Sequence, residues 1–271
     1  MKTLKKNNIP RQNTKSADES SFQTRSPLMK DIYQKVMRIA HLDKHVVLIG
    51  ETGVGKLNLA HAIHRNSSRA DGPFHSFYCM NTNEDEVREA FWEHVHVENE
   101  HLLLKFDILE KTSHGILYLN NYSDLTNDFK LSIIDSYMHG CRQLFRYNIA
   151  ASPRLIISIS QDSFQHVMYT EAWNKMLTLL DPISIMLPPL RERREDIDAF
   201  IMTFIEEARS SDPAWYRLGI TDDARRECLA YRWPGNIRQL KNAIFQGALL
   251  SHGDQIQCRH LPFSMNWQLP Y

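Results

Sequence analysis

Residues 50–56 read Gly50-Glu51-Thr52-Gly53-Val54-Gly55-Lys56 and lie between an apolar run, 46–49, and a segment with apolar residues at helical spacing, 59–63. A strand, a glycine-rich turn and a helix in this order bring backbone N–H groups and the positive end of the helix against one anion. Glycine allows the turn, and Lys56 supplies a positive charge to the outer phosphates. The stretch therefore predicts a phosphate-binding loop and a bound nucleotide.

Composition excludes several classes of protein. The chain has 271 residues, of which 42% are hydrophobic and 24% charged, as in ordinary globular proteins. Its 32 Lys and Arg residues equal its 32 Asp and Glu residues, so composition indicates no basic surface for nucleic acid. The four cysteines have neither metal-site nor disulfide-framework spacing, and no apolar run is long enough to cross a bilayer. We expect a cytoplasmic protein without a membrane partner.

Four regions follow from the distribution of apolar residues. Residues 1–26 are polar and predict a disordered tail, with a nucleic-acid-binding arm as the alternative. Residues 27–190 predict an α/β nucleotide-binding domain, and residues 191–254 a small helical lid. Residues 255–271 form a short C-terminal tail that either docks on the body or frays.

The pattern within the α/β region predicts its topology. Five short apolar runs, separated by helical segments, are expected to be strands: 46–49, 74–79, 116–119, 154–159 and 183–187. Strands that alternate with helices form right-handed crossovers and a parallel sheet covered by helices on both faces. After Glu195 strand signals vanish, and three helices are predicted, at 196–209, 222–231 and 236–250. The lid is therefore expected to be all-helical.

Four blocks of sequence resemble the central AAA+ domain of sigma-54-dependent transcriptional activators, from about Pro27 to Ile256. The blocks are residues 50–56, 62–74, 187–197 and 233–240. The resemblance implies an AAA+ P-loop domain that binds ATP or ADP between subunits of a ring, and whose hydrolysis of ATP acts on sigma-54 RNA polymerase. Carried over by position, the nucleotide-binding residues are Gly50, Glu51, Thr52, Gly53, Val54, Gly55, Lys56, Leu57 and the lid arginine Arg238. Arg191, Arg193 and Arg194 lie in a shared block, where a solvated helix entry is the expected role.

The catalytic positions depart from that pattern. The family has an Asp-Glu pair after the third strand, for Mg²⁺ and for the attacking water, and this chain has Asn120 and Asn121. An amide carries no negative charge and accepts no proton, so any Mg²⁺ is expected to be weakly held. Asp124 is close enough in sequence to replace the base, although a helix N-cap is the favoured interpretation.

Other departures agree with slow hydrolysis. The resemblance places arginine fingers at positions that hold Trp173 and Leu179, and fingers contribute ~10³–10⁵ to turnover. The sensor position, usually Asn, is Ser160, and the Asn that switches the catalytic Glu is replaced by Tyr78. We therefore assign no confident catalytic residue.

The segments that contact sigma-54 and DNA in the family are not recognisable. Residues 93–101 replace the Gly-Ala-Phe-Thr-Gly-Ala loop and read as a polar loop with three histidines, for which a metal site is the less favoured interpretation. The sequence shows no helix-turn-helix and no preceding receiver domain, so no direct DNA-binding domain is expected.

Two functions remain open from sequence. The favoured one is a regulator of transcription that senses ATP with weak or no hydrolysis, in a homo- or hetero-oligomeric AAA+ ring whose partner is sigma-54 RNA polymerase or an active relative. The alternative is an active ATPase with Asp124 as a displaced base and with fingers from other arginines, for instance Arg142 or Arg146.

Overall fold

The computed structural model describes residues 24–79, 91, 94–98, 101–105 and 107–262. Its strands are β1 (Val46–Gly50), β2 (Phe74–Tyr78), β3 (His94–Glu98), β4 (His101–Lys105), β5 (Ile116–Asn120), β6 (Arg154–Ser160), β7 (Ile183–Met186), β8 (Gly219–Ile220) and β9 (Gln255–Ile256). Its α-helices are α1 (Pro27–Ala40), α2 (Lys56–Arg65), α3 (Asp107–Lys111), α4 (Asn127–Leu144), α5 (Gln161–Val167), α6 (Glu171–Leu180), α7 (Glu195–Ser211), α8 (Asp222–Ala230) and α9 (Asn236–Leu250).

Five parallel strands form the central sheet in the order β2-β5-β6-β1-β7, which confirms the predicted parallel sheet. Strand β1 lies between β6 and β7, with Val46 opposite both Ile156 and Ile183. All of its residues are buried, as expected for a strand covered on both faces. The phosphate-binding loop therefore leaves the sheet from an interior strand.

Helices cover both faces of this sheet. Val46 and Leu48 pack in a core with α1 and α2, whereas Val47 and Ile49 pack in a second core with α4 and α6. Successive side chains of a strand point to opposite faces, so one apolar run serves two cores. This layered packing explains why β1 reads as an unbroken apolar run.

Two buried polar groups organise the edge of the sheet away from the loop. Arg154, 1% exposed, donates to the carbonyl oxygens of Ile39, Ala40 and Lys44 and so caps the end of α1. The Leu155 N–H donates to Nδ1 of His45 at 3.0 Å. Burial, followed by the nearby Arg154 guanidinium, lowers the pKa of His45 to about 4. His45 is thus a neutral acceptor at physiological pH.

The lid has its own core, built around Trp233 and the helices α7, α8 and α9. It also contains a pair of parallel strands, β8 and β9, so the prediction of an all-helical lid missed this short sheet. Leu261 is buried in the same core, so residues 255–261 of the predicted tail dock on the lid. The sequence also suggests that Phe263, Trp267 and Tyr271 are exposed, and these residues lie outside the described part of the chain.

Strands β3 and β4 pair in antiparallel orientation, with His94 opposite Lys105 and Glu98 opposite His101. The prediction of a polar loop at 93–101 was wrong for the described part of this stretch. The alternation His94-Val95-His96-Val97 is a strand period, and it was the signal for this strand pair. The sequence also favours a helix over residues 84–95; only residues 91, 94 and 95 of that range are described, and residues 94 and 95 lie in β3 instead.

The segment before α1 is attached to the lid. The Thr24 hydroxyl donates to both carboxylate oxygens of Asp196 at 2.8 Å, and the N–H groups of Arg25 and Ser26 donate to Oδ1 at 2.6 and 3.0 Å. Arg25 also pairs with Asp198 at 3.3 Å. These three residues, predicted to be tail, are therefore ordered on α7, while residues 1–23 lie outside the described part. Among the described residues, no helix is long and apolar enough to cross a membrane.

Candidate nucleotide-binding site

The loop between β1 and α2 has the backbone that an anion site requires. Gly53 and Gly55 have φ angles of 76° and 107°, a region that favours glycine. Helix α2 begins at Lys56, so its first N–H groups have no intrahelical acceptor and, with the helix dipole, attract an anion. The glycine positions of the motif are thus explained by the turn that presents these groups.

Lys56 lies inside the loop, with 8% of its surface exposed. Its ammonium donates to the carbonyl oxygens of Gly50 at 2.6 Å and Glu51 at 3.0 Å. Burial, followed by the positive charge of Arg238, lowers the pKa of Lys56 to about 8, while the nearby Asp124, Asp162 and Glu51 oppose this shift. The ammonium is therefore a compact charge that a phosphate can recruit.

The next three carbonyl groups of the loop accept hydrogen bonds from the start of α9 and from the segment before α7. Thr52 accepts from Nδ2 of Asn236 at 3.1 Å, and Gly53 from the N–H of Ile237 at 3.1 Å. Val54 accepts from Nη2 of Arg193 at 2.6 Å. Every carbonyl from residue 50 to residue 54 thus has a donor, which fixes the peptide planes whose N–H groups form the anion site.

The Glu51 carboxylate is held by two elements. Arg191 binds it in a bidentate manner, with nitrogen–oxygen distances of 2.6 and 2.9 Å, and Asn236 donates to it at 3.0 Å. The hydrogen bond from Arg191 is the main cause of a lowered Glu51 pKa. Asn236 is fully buried, has a φ of 53° and also accepts from the N–H of Leu190 at 2.7 Å. It joins the loop, α9 and the segment before α7.

The expected solvated role of the arginine block was wrong for two of its members. Arg191 binds Glu51, and Arg193, only 3% exposed, binds the Val54 carbonyl. Arg194 alone is exposed, at the start of α7. Sequence reasoning missed these partners and Asn236, because the contacting residues are about 140 and 185 positions from Glu51.

Arg238 lies in the first turn of α9 and is exposed. A Cβ atom placed on Gly53 would lie 3.0 Å from the Cβ of Arg238 and 2.4 Å from the Gly235 carbonyl oxygen. The lid helix therefore starts directly against the loop, and the structure places Arg238 beside Lys56. Leu57 points elsewhere, since its side chain packs partly buried against the core of α1 and α2.

The end of β5 carries amides and a hydroxyl. Asn120 Oδ1 accepts from the Ser158 hydroxyl at 3.0 Å, and Ser158 Oγ accepts from the Asn121 N–H at 2.9 Å. Asn121 has a φ of 57°, which asparagine tolerates. Asn120 and Asn121 are neutral, and Oδ1 of Asn120 already accepts a hydrogen bond from Ser158. These two side chains therefore do not fit a tightly held Mg²⁺.

Asp124 is exposed and accepts from the Ser123 hydroxyl at 3.1 Å. The cap of α4 is Thr126, which accepts from the Phe129 N–H, so the N-cap interpretation of Asp124 was wrong. Asp162, in the first turn of α5, is a second carboxylate that acts on Lys56 and that sequence reasoning missed. The described residues contain no cluster of three or more histidine, cysteine or acidic side chains suited to a metal.

The remaining predicted positions are spread around the site. Ser160 ends β6 and its N–H lies 3.4 Å from the Ser123 hydroxyl, while Tyr78 ends β2 and is 56% exposed. Trp173 is buried against Phe164, whereas Leu179 is exposed. The alternative finger residues, Arg142 and Arg146, are both exposed at or just beyond the end of α4.

A cleft adjoins the loop between α1, α2 and the lid. Its lining includes Tyr33, Asn58, Leu187, Arg193, Phe200 and Ile237. Nε of Arg193 is buried there without a hydrogen-bond partner.

Two protein families match this chain. Residues 22–141 match the Sigma-54 interaction domain, and residues 191–269 match the AAA+ ATPase lid domain. The regulatory protein AtoC of Escherichia coli is 29% identical over 246 residues, which are 88% of this chain and 52% of that protein. The transcriptional regulatory protein FlbD of Caulobacter vibrioides is 26% identical over 245 residues, 89% of this chain and 53% of that protein. The chain spans about half the length of these relatives.

The crystal structure of NtrX from Brucella abortus in complex with ATP has the same fold. It superposes with a TM-score of 0.74 and 26% identity, covering 91% of this chain and 57% of that one. The parallel sheet, the loop at its centre and the lid against that loop are all accounted for by these matches. The chain therefore has an α/β AAA+ fold, and it is similar to the Sigma-54 interaction domain in its sheet domain and to the AAA+ ATPase lid domain in its lid.

Proposed function

We propose that this chain is a nucleotide-sensing regulator of transcription, which binds ATP or ADP through residues 50–57 and Arg238 and hydrolyses ATP weakly or not at all. The observation that carries this proposal is that the loop retains its phosphate-binding features while the end of β5 lacks carboxylates. The loop has its two left-handed glycines, its buried Lys56 and a full set of carbonyl partners, whereas the end of β5 offers only Asn120 and Asn121.

The contacts around the loop support nucleotide binding. The cleft beside Val54, which is lined in part by Leu187, Phe200 and Ile237, adjoins the loop and is where we place the base. The NtrX structure that this chain resembles was determined with ATP and also with ADP. ATP would place its phosphates on the loop, against Lys56 and the start of α2.

The chemistry at the end of β5 supports slow hydrolysis. When bound, Mg²⁺ neutralises phosphate charge, but here its protein partners would be neutral amides. Neither asparagine accepts a proton from water, and the loss of a positioned base costs ~10²- to 10⁴-fold. At the finger positions, the Trp173 side chain is committed to the core and Leu179 is apolar, so neither can stabilise phosphate charge on a neighbouring subunit.

A nucleotide that is bound but not cleaved acts as a ligand. Binding stabilises whichever arrangement of sheet domain and lid contains it. We infer that a cytoplasmic partner recognises this arrangement. The chain would act in a ring of identical copies or together with an active relative, and its final target would be sigma-54 RNA polymerase. The match to the Sigma-54 interaction domain supports that assignment.

An active ATPase is the second candidate, and one observation favours it. Asp124 and Asp162 both lie close enough to Lys56 to oppose the lowering of its pKa. Either carboxylate is able to serve as a displaced base for water near the outer phosphate.

Equilibrium binding and phosphate release distinguish the two candidates. A fluorescent ATP analogue should bind to the wild-type chain and not to Lys56→Ala, while phosphate release from Mg·ATP stays at the level of the Lys56→Ala control. Size-exclusion chromatography with light scattering, with and without Mg·ATP, tests assembly in the same samples. Turnover that Lys56→Ala and Asp124→Asn or Asp162→Asn abolish would instead establish the active ATPase, and absence of binding would overturn the nucleotide site.

A further inference from the structure

The proposed phosphate-binding loop contains one acidic side chain, Glu51. Glu51 follows Gly50 directly and its carboxylate has 16% of its side-chain surface exposed. A carboxylate beside a polyanion repels it unless a cation neutralises the carboxylate. Here Arg191 supplies that cation through two hydrogen bonds, and Asn236 adds a third from the lid.

The two partners of Glu51 come from parts of the chain outside the loop, one from the connection to the lid and one from the lid itself. Arg191 lies in the short helical turn Leu190–Glu192, which connects β7 to α7, and Asn236 opens α9. Asn236 also accepts from the N–H of Leu190, so the connection and the lid helix are bound to each other as well as to the loop. A movement of the lid away from the loop must break this set of bonds.

We propose that Glu51, Arg191 and Asn236 form a latch through which the position of the lid sets the affinity of the loop for phosphates. With the latch closed, Glu51 is neutralised and the Thr52 carbonyl is bound, so the N–H groups of the loop face the ligand in a fixed arrangement. With the latch open, an unpaired carboxylate repels the phosphates. Arg191 is therefore a positioning residue that acts through Glu51, without contact with the nucleotide.

This proposal rests on the proposed nucleotide site, and charge removal tests it separately. Arg191→Met leaves Glu51 unpaired, whereas Glu51→Gln removes the repulsive charge while retaining an acceptor for Asn236. Arg194→Met is the matched control, since Arg194 is an exposed arginine three positions away with no bond to the loop. Binding of ATP and of adenosine, measured by isothermal titration calorimetry, separates phosphate affinity from base affinity.

We expect Arg191→Met to weaken ATP binding about tenfold and adenosine binding less than about twofold, with Arg194→Met unchanged for both. Adding Glu51→Gln to Arg191→Met should restore most of the ATP affinity, because the unpaired charge is gone. Arg191→Lys should lie between wild type and Arg191→Met, since lysine keeps the charge without the bidentate geometry. Circular dichroism melting shows whether each variant is folded.

Two results overturn the latch while leaving the nucleotide site standing. One is ATP binding to Arg191→Met as tight as to Arg194→Met. The other is a double variant as weak as Arg191→Met, which would mean that Arg191 acts directly on the phosphates. If the wild-type chain binds neither ATP nor ADP, the nucleotide site and the latch both fail.

Discussion

The Ser158 hydroxyl donates to Oδ1 of Asn120 at 3.0 Å, across the two neighbouring strands β5 and β6. A carboxylate at position 120 would accept the same bond, so Asn120→Asp should be tolerated without repacking. The backbone N–H of Asn121 donates to Ser158 Oγ, and this bond does not depend on the side chain. In Asn121→Glu the new side chain would replace a partly exposed amide. The site is thus able to receive the two carboxylates of the family pattern.

We expect the double variant Asn120→Asp, Asn121→Glu to make ATP binding depend more strongly on Mg²⁺ while it restores little hydrolysis. The added charge favours the cation, whereas Trp173 and Leu179 still supply no finger. Titration of ATP with Mg²⁺ and with EDTA, together with phosphate release, checks both parts. Turnover restored to the level of an active relative by these two changes alone would contradict our account of positions 173 and 179.

The affinity for ATP should fall as pH rises through about 8, because burial lowers the pKa of Lys56 to about 8 and only the charged form attracts phosphate. Between pH 7 and pH 9 we expect a loss of about tenfold. Adenosine, which lacks phosphates, provides the control and should bind equally at both pH values. An ATP affinity that stays constant over this range would show that Lys56 remains charged or that it does not contact the ligand.

Two alanine substitutions in the loop should differ. Both Gly53→Ala and Gly55→Ala place a side chain at positive φ, which costs roughly 1–2 kcal/mol. Only Gly53→Ala also meets a backbone atom, the Gly235 oxygen at 2.4 Å, whereas the new methyl at Gly55 lies 3.6 Å from Ile237. Hydrogen exchange in α9 should therefore accelerate in Gly53→Ala and stay near wild type in Gly55→Ala. If hydrogen exchange in α9 were accelerated equally in both variants, the cause would be backbone strain at positive φ and not the contact with Gly235.

Stability should fall as pH decreases from 7 to 5, with a contribution from His45. Its pKa is about 4 when folded, below the ordinary value of 6.5, so between these values the unfolded chain binds the proton and the folded chain does not. At pH 5 the expected loss is about 2 kcal/mol relative to pH 7. Urea unfolding of wild type and His45→Asn checks this, because asparagine keeps an acceptor for the Leu155 N–H. A variant with the same pH dependence as wild type would exclude His45 as the source.

Removal of the Thr24 hydroxyl should loosen the first turns of α7. The hydroxyl binds both oxygens of the fully buried Asp196, and hydrogen bonds to charged groups contribute about 1.5–3 kcal/mol. Thr24→Val should speed hydrogen exchange at the start of α7 and leave the central sheet unchanged. Thr178→Val, which removes an exposed hydroxyl bonded within its own helix, is the control. Unchanged exchange in α7 would mean that the two backbone bonds from residues 25 and 26 suffice.

The sheet could be predicted from sequence because β1 is an unbroken apolar run and the other strands are short, largely apolar segments separated by helical ones. The loop could be predicted because its glycines and lysine are adjacent in the chain. The small strands β8 and β9 could not, since they have two residues each and no period to detect. Their pairing depends on the packing of the lid.

The candidate site was predictable only where its parts are local. Lys56 and the two left-handed glycines follow from the motif itself. The roles of Arg191, Arg193 and Asn236 depend on contacts with a loop that lies at least 139 positions away along the chain. The cap at the start of α4 is a separate case, because the local pattern does not distinguish Asp124 from Thr126, and it is Thr126 that caps the helix.

The hydrogen bonds from residues 24–26 to Asp196 fix the position of the segment that precedes α1. Coming from the N-terminal side, the backbone is anchored on the lid before it reaches the first helix of the sheet domain. A force applied at Thr24 would therefore reach the first turn of α7 before it reaches α1. The same three residues therefore couple the segment before α1 to the lid as well as to the sheet domain.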